Sequence, residues 1–497
     1  MKPDMKKFVT LFLAALLLAC NPDSIIPVVD PNPVPVVPED SDPNPETDPD
    51  PDPGYVPDET DVFALINKEK YGLDYVFDRS TLEEVHITVS QSEWDTLLAA
   101  FDSNSATTRQ IHADYKFVKN GVSKTIQDGG LRLKGNVYSR RRPQSSSGSG
   151  RFQHVHYQAN FRKFVKDDDH TLQGCRKIYM KWFKDDPSYV REILAYDLYK
   201  DAKVWTASFN TYCKMYIKVG DGSEKYLGIY DMIEHLDEEY LKARKELFGS
   251  SKGYLWKARY GASFAHLVDD FGADLDDGVE HRYELKTNVE DYDNAYSQIQ
   301  DFIRNYTTLR EEEFHTWVAD HVDIPLLMRT YAVTVAVGLW DDYWCDNNNF
   351  YFYFNSTDPT DYKFYLIPYD CDNTFGIGNA GVLPAGANPA AQDPYKWGKT
   401  SNPLMTRLLR FDDYKEIYRK ELLRITDPDC GIMYPDCAIK KVQALQGMIK
   451  GLVANDTGED GSMSDSVPSW SPTNYKLISG GNNYNFFRVK ANSFNDL

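Results

Sequence analysis

Two short apolar runs, "NFYFYF" (349–354) and "KFYLIPY" (363–369), interrupt the otherwise helical second half of the chain, joined by the turn-rich "NSTDPTDY". Aromatic runs of this length, bounded by Asn, Ser, Asp and Pro, predict a buried antiparallel hairpin. Antiparallel pairing sets the start of the first strand beside the end of the second. "WDDYWCDNN" precedes the hairpin and Asp370, Cys371 and Asp372 follow it. One end should therefore gather Asp341, Asp342, Asp346, Asn347, Asn348, Asp370 and Asp372. Carboxylates about 5 Å apart repel by roughly 3 kcal/mol at an effective dielectric near 20. Such a cluster takes up a cation or protons. Oxygen ligands without His or Cys suit Mg²⁺, Mn²⁺ or Ca²⁺. Loop capping without metal, or calcium that only stiffens the fold, would use the same residues.

Around the hairpin the pattern divides in two. "VHITVS" (85–90) alternates as a strand, and "GGLRLKGNVYSRRRPQSSSGSGRFQHVHYQANF" reads as two strands about a mobile Arg/Ser/Gly loop. After the strand "KIYMKW" comes a helix in "DDPSYVREILAYDLYKDAKV", expected to be capped by Asp186 with Pro187 in its first turn. "CKMYIKVG" and "KYLGIYDMIEHL" form a second hairpin, followed by a helix stopped at Gly249. Beyond Asn294 helices dominate. Strands first and helices later, with one hairpin between, predict an α+β fold.

The N-terminus "MKPDMKKFVTLFLAALLLAC" has three lysines, an apolar run too short to span a bilayer, and Cys20. This predicts a signal peptide over 1–19 and a lipidated Cys20, hence an exported lipoprotein anchored in a bacterial cell envelope. Residues 21–60 hold eleven Asp or Glu, no Lys or Arg, and twelve of the 26 prolines. The segment 20–60 is thus an extended spacer. The net charge of −20 disfavours nucleic acid as a partner. Folded sequence should begin near Asp61 and run to 430, with 431–497 a C-terminal helix and tail packed on the same domain. Six cysteines remain after Cys20, with Cys430 and Cys437 expected to pair. Without CxxC or HExxH, zinc is not expected.

Protein kinases array similar groups: a catalytic Asp, an Asn about five residues on that binds metal, a hairpin, and a second metal-binding Asp. Asp342 to Asn347 is five residues here, and Asp342 to Asp370 is 28. Four segments also resemble the CotH-like kinases, named after a spore coat protein. They are "LRLKGNVYSR", "LQGCRKIYMKWFKDDPSYVREILAYDLYKDAKV", "YLGIYDMIEHLDEEYLKAR" with "GYLWKAR", and "GLWDDYWCDNNNFYFYF…KFYLIPYDCDNTFG", spanning about 131–376. Tyr369 stands where Trp is common in that family. The resemblance implies an atypical protein-kinase-like fold, with a strand-rich N-terminal part and a helical C-terminal part that contains the catalytic hairpin. It also implies ATP with Mg²⁺ (or Mn²⁺), and phosphorylation of Ser or Thr on exported proteins. Carried over, Asp370 and Asp372 would bind metal with Asn347 or Asn348, and Asp341 or Asp342 would be the general base. Lys257 would contact phosphate with Glu234 as its orienting partner. Arg132, Lys134 and the loop "SRRRPQSSSGSGR" would cover the phosphates.

Other motifs are decoys. The literal "DFG" at Asp270–Phe271–Gly272 follows no His-Arg-Asp, and "GIGNAG" (376–381) opens no helix. The competing function is a non-catalytic envelope lipoprotein that binds glycan or protein partners on the same scaffold.

Overall fold

The structure is a computed structural model describing residues 61–497 except 137, 138, 149, 276–278, 384–387, 430 and 496. The expected signal segment, Cys20, the acidic spacer and Cys430 lie outside the described residues. The described residues, from Asp61 to Leu497, belong to one compact unit. Among the described residues no helix is long and apolar enough to cross a membrane.

The first half is a closed barrel of β1 (Glu83–Val89), β2 (Ile111–Lys119), β3 (Val122–Lys134), β4 (His156–Asn160), β5 (Lys177–Trp182), β6 (Asn210–Val219) and β7 (Lys225–Glu234). The strand order is β1-β2-β3-β4-β5-β7-β6, and a parallel β1–β6 pairing closes it. Strict alternation makes this possible: β2 buries every second side chain, Ile111, Ala113, Tyr115 and Phe117 among them, and presents the rest outward. At Gly129 an added Cβ would lie 2.9 Å from the Tyr115 ring, so β3 passes close only because the residue is glycine.

A second sheet holds β8 (Tyr254–Ala258), β9 (Phe271–Ala273), β10 (Tyr283–Leu285), β11 (Phe350–Phe354) and β12 (Phe364–Pro368), in the order β12-β11-β8-β10-β9. The late hairpin forms in the expected register, with Phe350 opposite Pro368 and Phe354 opposite Phe364. Every residue of β11 and β12 is buried, which explains their continuous apolar runs. β8, not expected from the sequence, pairs with β11 and places Lys257 opposite Tyr351. The "DFG" lies at the sheet's edge, with Asp270 bonded to His281 and Phe271–Gly272 in β9.

Helices cover this sheet. Ile324–Val337 follows from its sequence: Asp323 caps it by accepting from the Leu326 amide, a proline stands in its first turn, and Gly338 (φ 71°) ends it. The helix expected to start at Pro187 begins instead at Arg191 and runs to Asp201. Tyr189 has φ 59°, which helical backbone does not allow, and the Asp186 carboxylate accepts from the amides of Ser188 and Arg191 to stabilise the preceding turn. The strand-rich first half, helical second half and embedded hairpin make the expected α+β architecture.

Candidate active site

β12 ends at Pro368, and the chain turns at Asp370, whose φ is 59°. Aspartate tolerates that conformation better than most residues. Lys181 approaches from β5 of the barrel. Its ammonium lies 2.6 Å from Glu192 and 3.1 Å from Asp372, and it also pairs with Asp370. Glu192 stands in the first turn of the helix Arg191–Asp201, and its second oxygen accepts from the Cys371 amide at 3.2 Å. One glutamate thus ties a barrel lysine to the loop behind the hairpin. Burial works against the Lys181 charge, but Asp370, Asp372 and Glu192 outweigh it and hold its pKa well above the lysine range. Asp370 shows the converse: burial opposes its ionisation, yet Lys181, His156 and Lys257 keep its carboxyl below the usual range. Asp372 is pushed up to about 6 by burial.

The aspartate doublet divides. Asp341 accepts from the Asn348 side chain at 2.9 Å and from the Asn373 side chain at 3.3 Å. It feels the charges of Asp370 and Asp372, and burial with that repulsion raises it to about 7. Asp342 turns inward, is buried, and caps the short helix Tyr343–Asp346 by accepting from the Cys345 amide at 2.8 Å. The asparagine pair divides likewise. Asn347 (φ 55°) ends that helix and is bonded to Asn402, whereas Asn348 faces Asp341.

A cationic wall faces these acids. Arg132 and Lys134 leave the barrel on β3, while Lys257, Arg259 and Lys286 come from the second sheet, and Lys134 feels the charge of the other four. Like charges so close need an anion. Glu284 is one, 3.0 Å from Arg259 and 2.7 Å from Lys286, and it is held down to about 2. Lys134 and Lys257 lie over tyrosine rings, 4.4 Å from Tyr179 and 5.2 Å from Tyr369 respectively. Burial, then Arg259 and Lys286, press Lys257 down to about 7.

The expected pairing of Glu234 with Lys257 does not form. Glu234 is buried against Arg244, at 2.7 and 2.8 Å, and is not beside Lys257. The lysine–glutamate pair at the acid cluster is Lys181 with Glu192. The loop expected to cover phosphates is tied elsewhere: Arg141 pairs with Glu459, Arg142 with Asp102, and Arg140 donates to the carbonyls of Ser105 and Thr107. Cys175, Cys213, Cys345 and Cys371 are buried free thiols.

The donor set suits a hard divalent cation. Glu192, Asp370 and Asp372 each offer an oxygen within 4.8 Å of the others, with Asp341 and the Asn348 amide nearby. Lys181 lies among them as the local counter-charge. Acids that hold a cation, opposed by a wall of Arg and Lys, suit a polyanion bearing a metal ion.

Residues 131–480 match the protein family described as CotH kinase protein. No curated protein matches the chain.

Proposed function

We propose that this chain, which belongs to the CotH kinase family, transfers the γ-phosphoryl group of ATP to Ser or Thr hydroxyls of exported proteins. Family membership implies a phosphotransferase of the atypical kinase type, and with it the use of ATP and Mg²⁺. The observation that carries the reading is the contact of Lys181 with Glu192, Asp370 and Asp372. Protein kinases couple a strand lysine to a helix glutamate beside a metal-binding aspartate in the same way.

In this reading Lys181, oriented by Glu192, contacts the ATP phosphates. Arg132, Lys134, Lys257, Arg259 and Lys286 balance the remaining charge. Asp370 and Asp372, with Asn348, hold Mg²⁺ or Mn²⁺, which neutralises phosphate charge when bound. Asp341 accepts the proton of the acceptor hydroxyl as its oxygen bonds to the γ-phosphorus. The bond to the bridging oxygen breaks and ADP leaves. Positioning and electrostatics supply most of the rate. The lipid anchor at Cys20 and the acidic spacer would hold the domain off an envelope membrane.

Phosphosite mapping by mass spectrometry, after the purified protein meets ATP with Mg²⁺ or Mn²⁺ and a mixture of Ser/Thr peptides, tests the proposal. New phosphoserine or phosphothreonine with wild type and none with Lys181→Met is the expected result. No phosphate transfer with either metal leaves a binding protein on a kinase-like scaffold.

A further inference from the structure

Residues 481–497 lie beyond the family match, yet the helix Phe486–Asn492 touches both acid-bearing segments. Lys490 is fully buried in it, and its amino group donates to the Val335 carbonyl at 2.9 Å. The rings of Trp397, Phe494 and Phe486 surround that group at 5.0, 5.6 and 5.8 Å. Val335 belongs to the last turn of the helix Ile324–Val337, whose end leads through Gly338, Leu339 and Trp340 to Asp341.

The same turn meets the other acidic segment. Its Val337 carbonyl accepts from the Phe375 amide at 2.7 Å. Phe375 has φ 50°, a strained backbone for an aromatic residue, of a kind that persists only where its surroundings hold it. Those surroundings include the C-terminal helix, with the Phe486 and Phe487 rings each 5.7 Å from the Phe375 ring. Two residues before Phe375, Asn373 donates to Asp341.

We propose that the C-terminal helix is a brace that sets the spacing between Asp341 and the Asp370–Asp372 loop, with Lys490 and Phe487 as positioning residues. Lys490 adds a second donor to the Val335 carbonyl, which also accepts from the Gly338 amide at 3.2 Å, and so ties the C-terminal helix to the point where the chain leaves for Asp341. Phe487 holds Phe375 in its strained form, and with it the loop carrying Asp370 and Asp372. Neither side chain touches the reacting atoms. The effect of the brace on turnover rests on the phosphoryl-transfer reading, whereas the brace itself does not.

Hydrogen exchange on the full chain, comparing wild type with Lys490→Met, separates the two. Amides in 334–348 and 370–378 should exchange about tenfold faster while those of β1 to β3 keep their rates, because local opening is separable from global unfolding. Phe487→Leu should act on 370–378 most, and serves if Lys490→Met does not fold. Steady-state kinetics should show kcat down by about tenfold or more, with KM for ATP nearly unchanged, the mark of an interaction that matters only in the transition state. Unchanged exchange in both segments, or a uniform rise across the barrel, overturns the brace. Absence of turnover in wild type overturns the phosphoryl-transfer reading and leaves the exchange result to decide the brace by itself.

Discussion

The Lys181 ammonium lies 2.6 Å from the Glu192 carboxylate, in the space that Glu192 shares with Asp370 and Asp372. An ammonium and a divalent ion compete for the same three oxygens. Lys181→Met should therefore bind Mn²⁺ about tenfold more tightly than wild type without nucleotide, since a nearby like charge is removed. The same variant should lose phosphoryl transfer. Electron paramagnetic resonance titration of free Mn²⁺ reads the first effect, and equal or weaker binding would refute the competition.

The aspartate doublet offers a separation of roles. Asp341→Asn should lower kcat by about 10²–10⁴ with little change in stability, as loss of a general base does. Asp342→Ala removes the cap on the Cys345 amide and should cost about 1–2 kcal/mol of stability. Chemical denaturation beside steady-state kinetics distinguishes the two; the opposite pattern would make Asp342 the base.

Two glutamates of similar burial should behave differently. Glu234→Gln breaks a buried pair with Arg244 and should destabilise the fold by about 3–5 kcal/mol without altering nucleotide affinity in the folded protein. Glu192→Gln should lower kcat far more than Glu234→Gln does. Steady-state kinetics of both variants, with chemical denaturation and calorimetric nucleotide titration of Glu234→Gln, checks the contrast.

Glu83 provides a pH signature remote from the site. It is buried on β1, neither oxygen has a hydrogen-bond partner among the described residues, and burial outweighs the attraction of Lys119 to raise its pKa from 4.5 to about 7. Between those values the folded state keeps a proton that the unfolded chain releases. Its contribution to stability therefore falls as pH rises through that window, by up to about 3 kcal/mol. Glu83→Gln should be more stable than wild type at pH 8, with the difference shrinking toward pH 4.5 in urea titrations. A difference independent of pH would refute the assignment.

The hairpin was legible because its signals are local: two apolar runs, a turn between them, and acids at both outer ends. Lys181 was not. "YMKW" and "YLWKA" each show one lysine inside an apolar strand, and nothing local separates Lys181 from Lys257. What distinguishes them is Glu192, aimed at Lys181 by a helix whose start depends on the Asp186 turn and the positive φ of Tyr189. Barrel closure was equally hidden, since it needs Glu83–Val89 to pair with Cys213–Val219, strands far apart in the chain. Nothing near Glu234 in the sequence marks Arg244, ten residues on and past a helix, as its partner in place of Lys257.

The central claim is that the acid cluster of Glu192, Asp370 and Asp372, with the cations that face it, binds ATP through a divalent ion held by Asp370. Isothermal titration of ATP into wild type and Asp370→Ala, each with Mg²⁺ and with EDTA, tests it most directly. The account predicts binding by wild type only with Mg²⁺, and loss of that binding in a folded Asp370→Ala protein. Binding of equal strength in all four titrations, or in none, would contradict it.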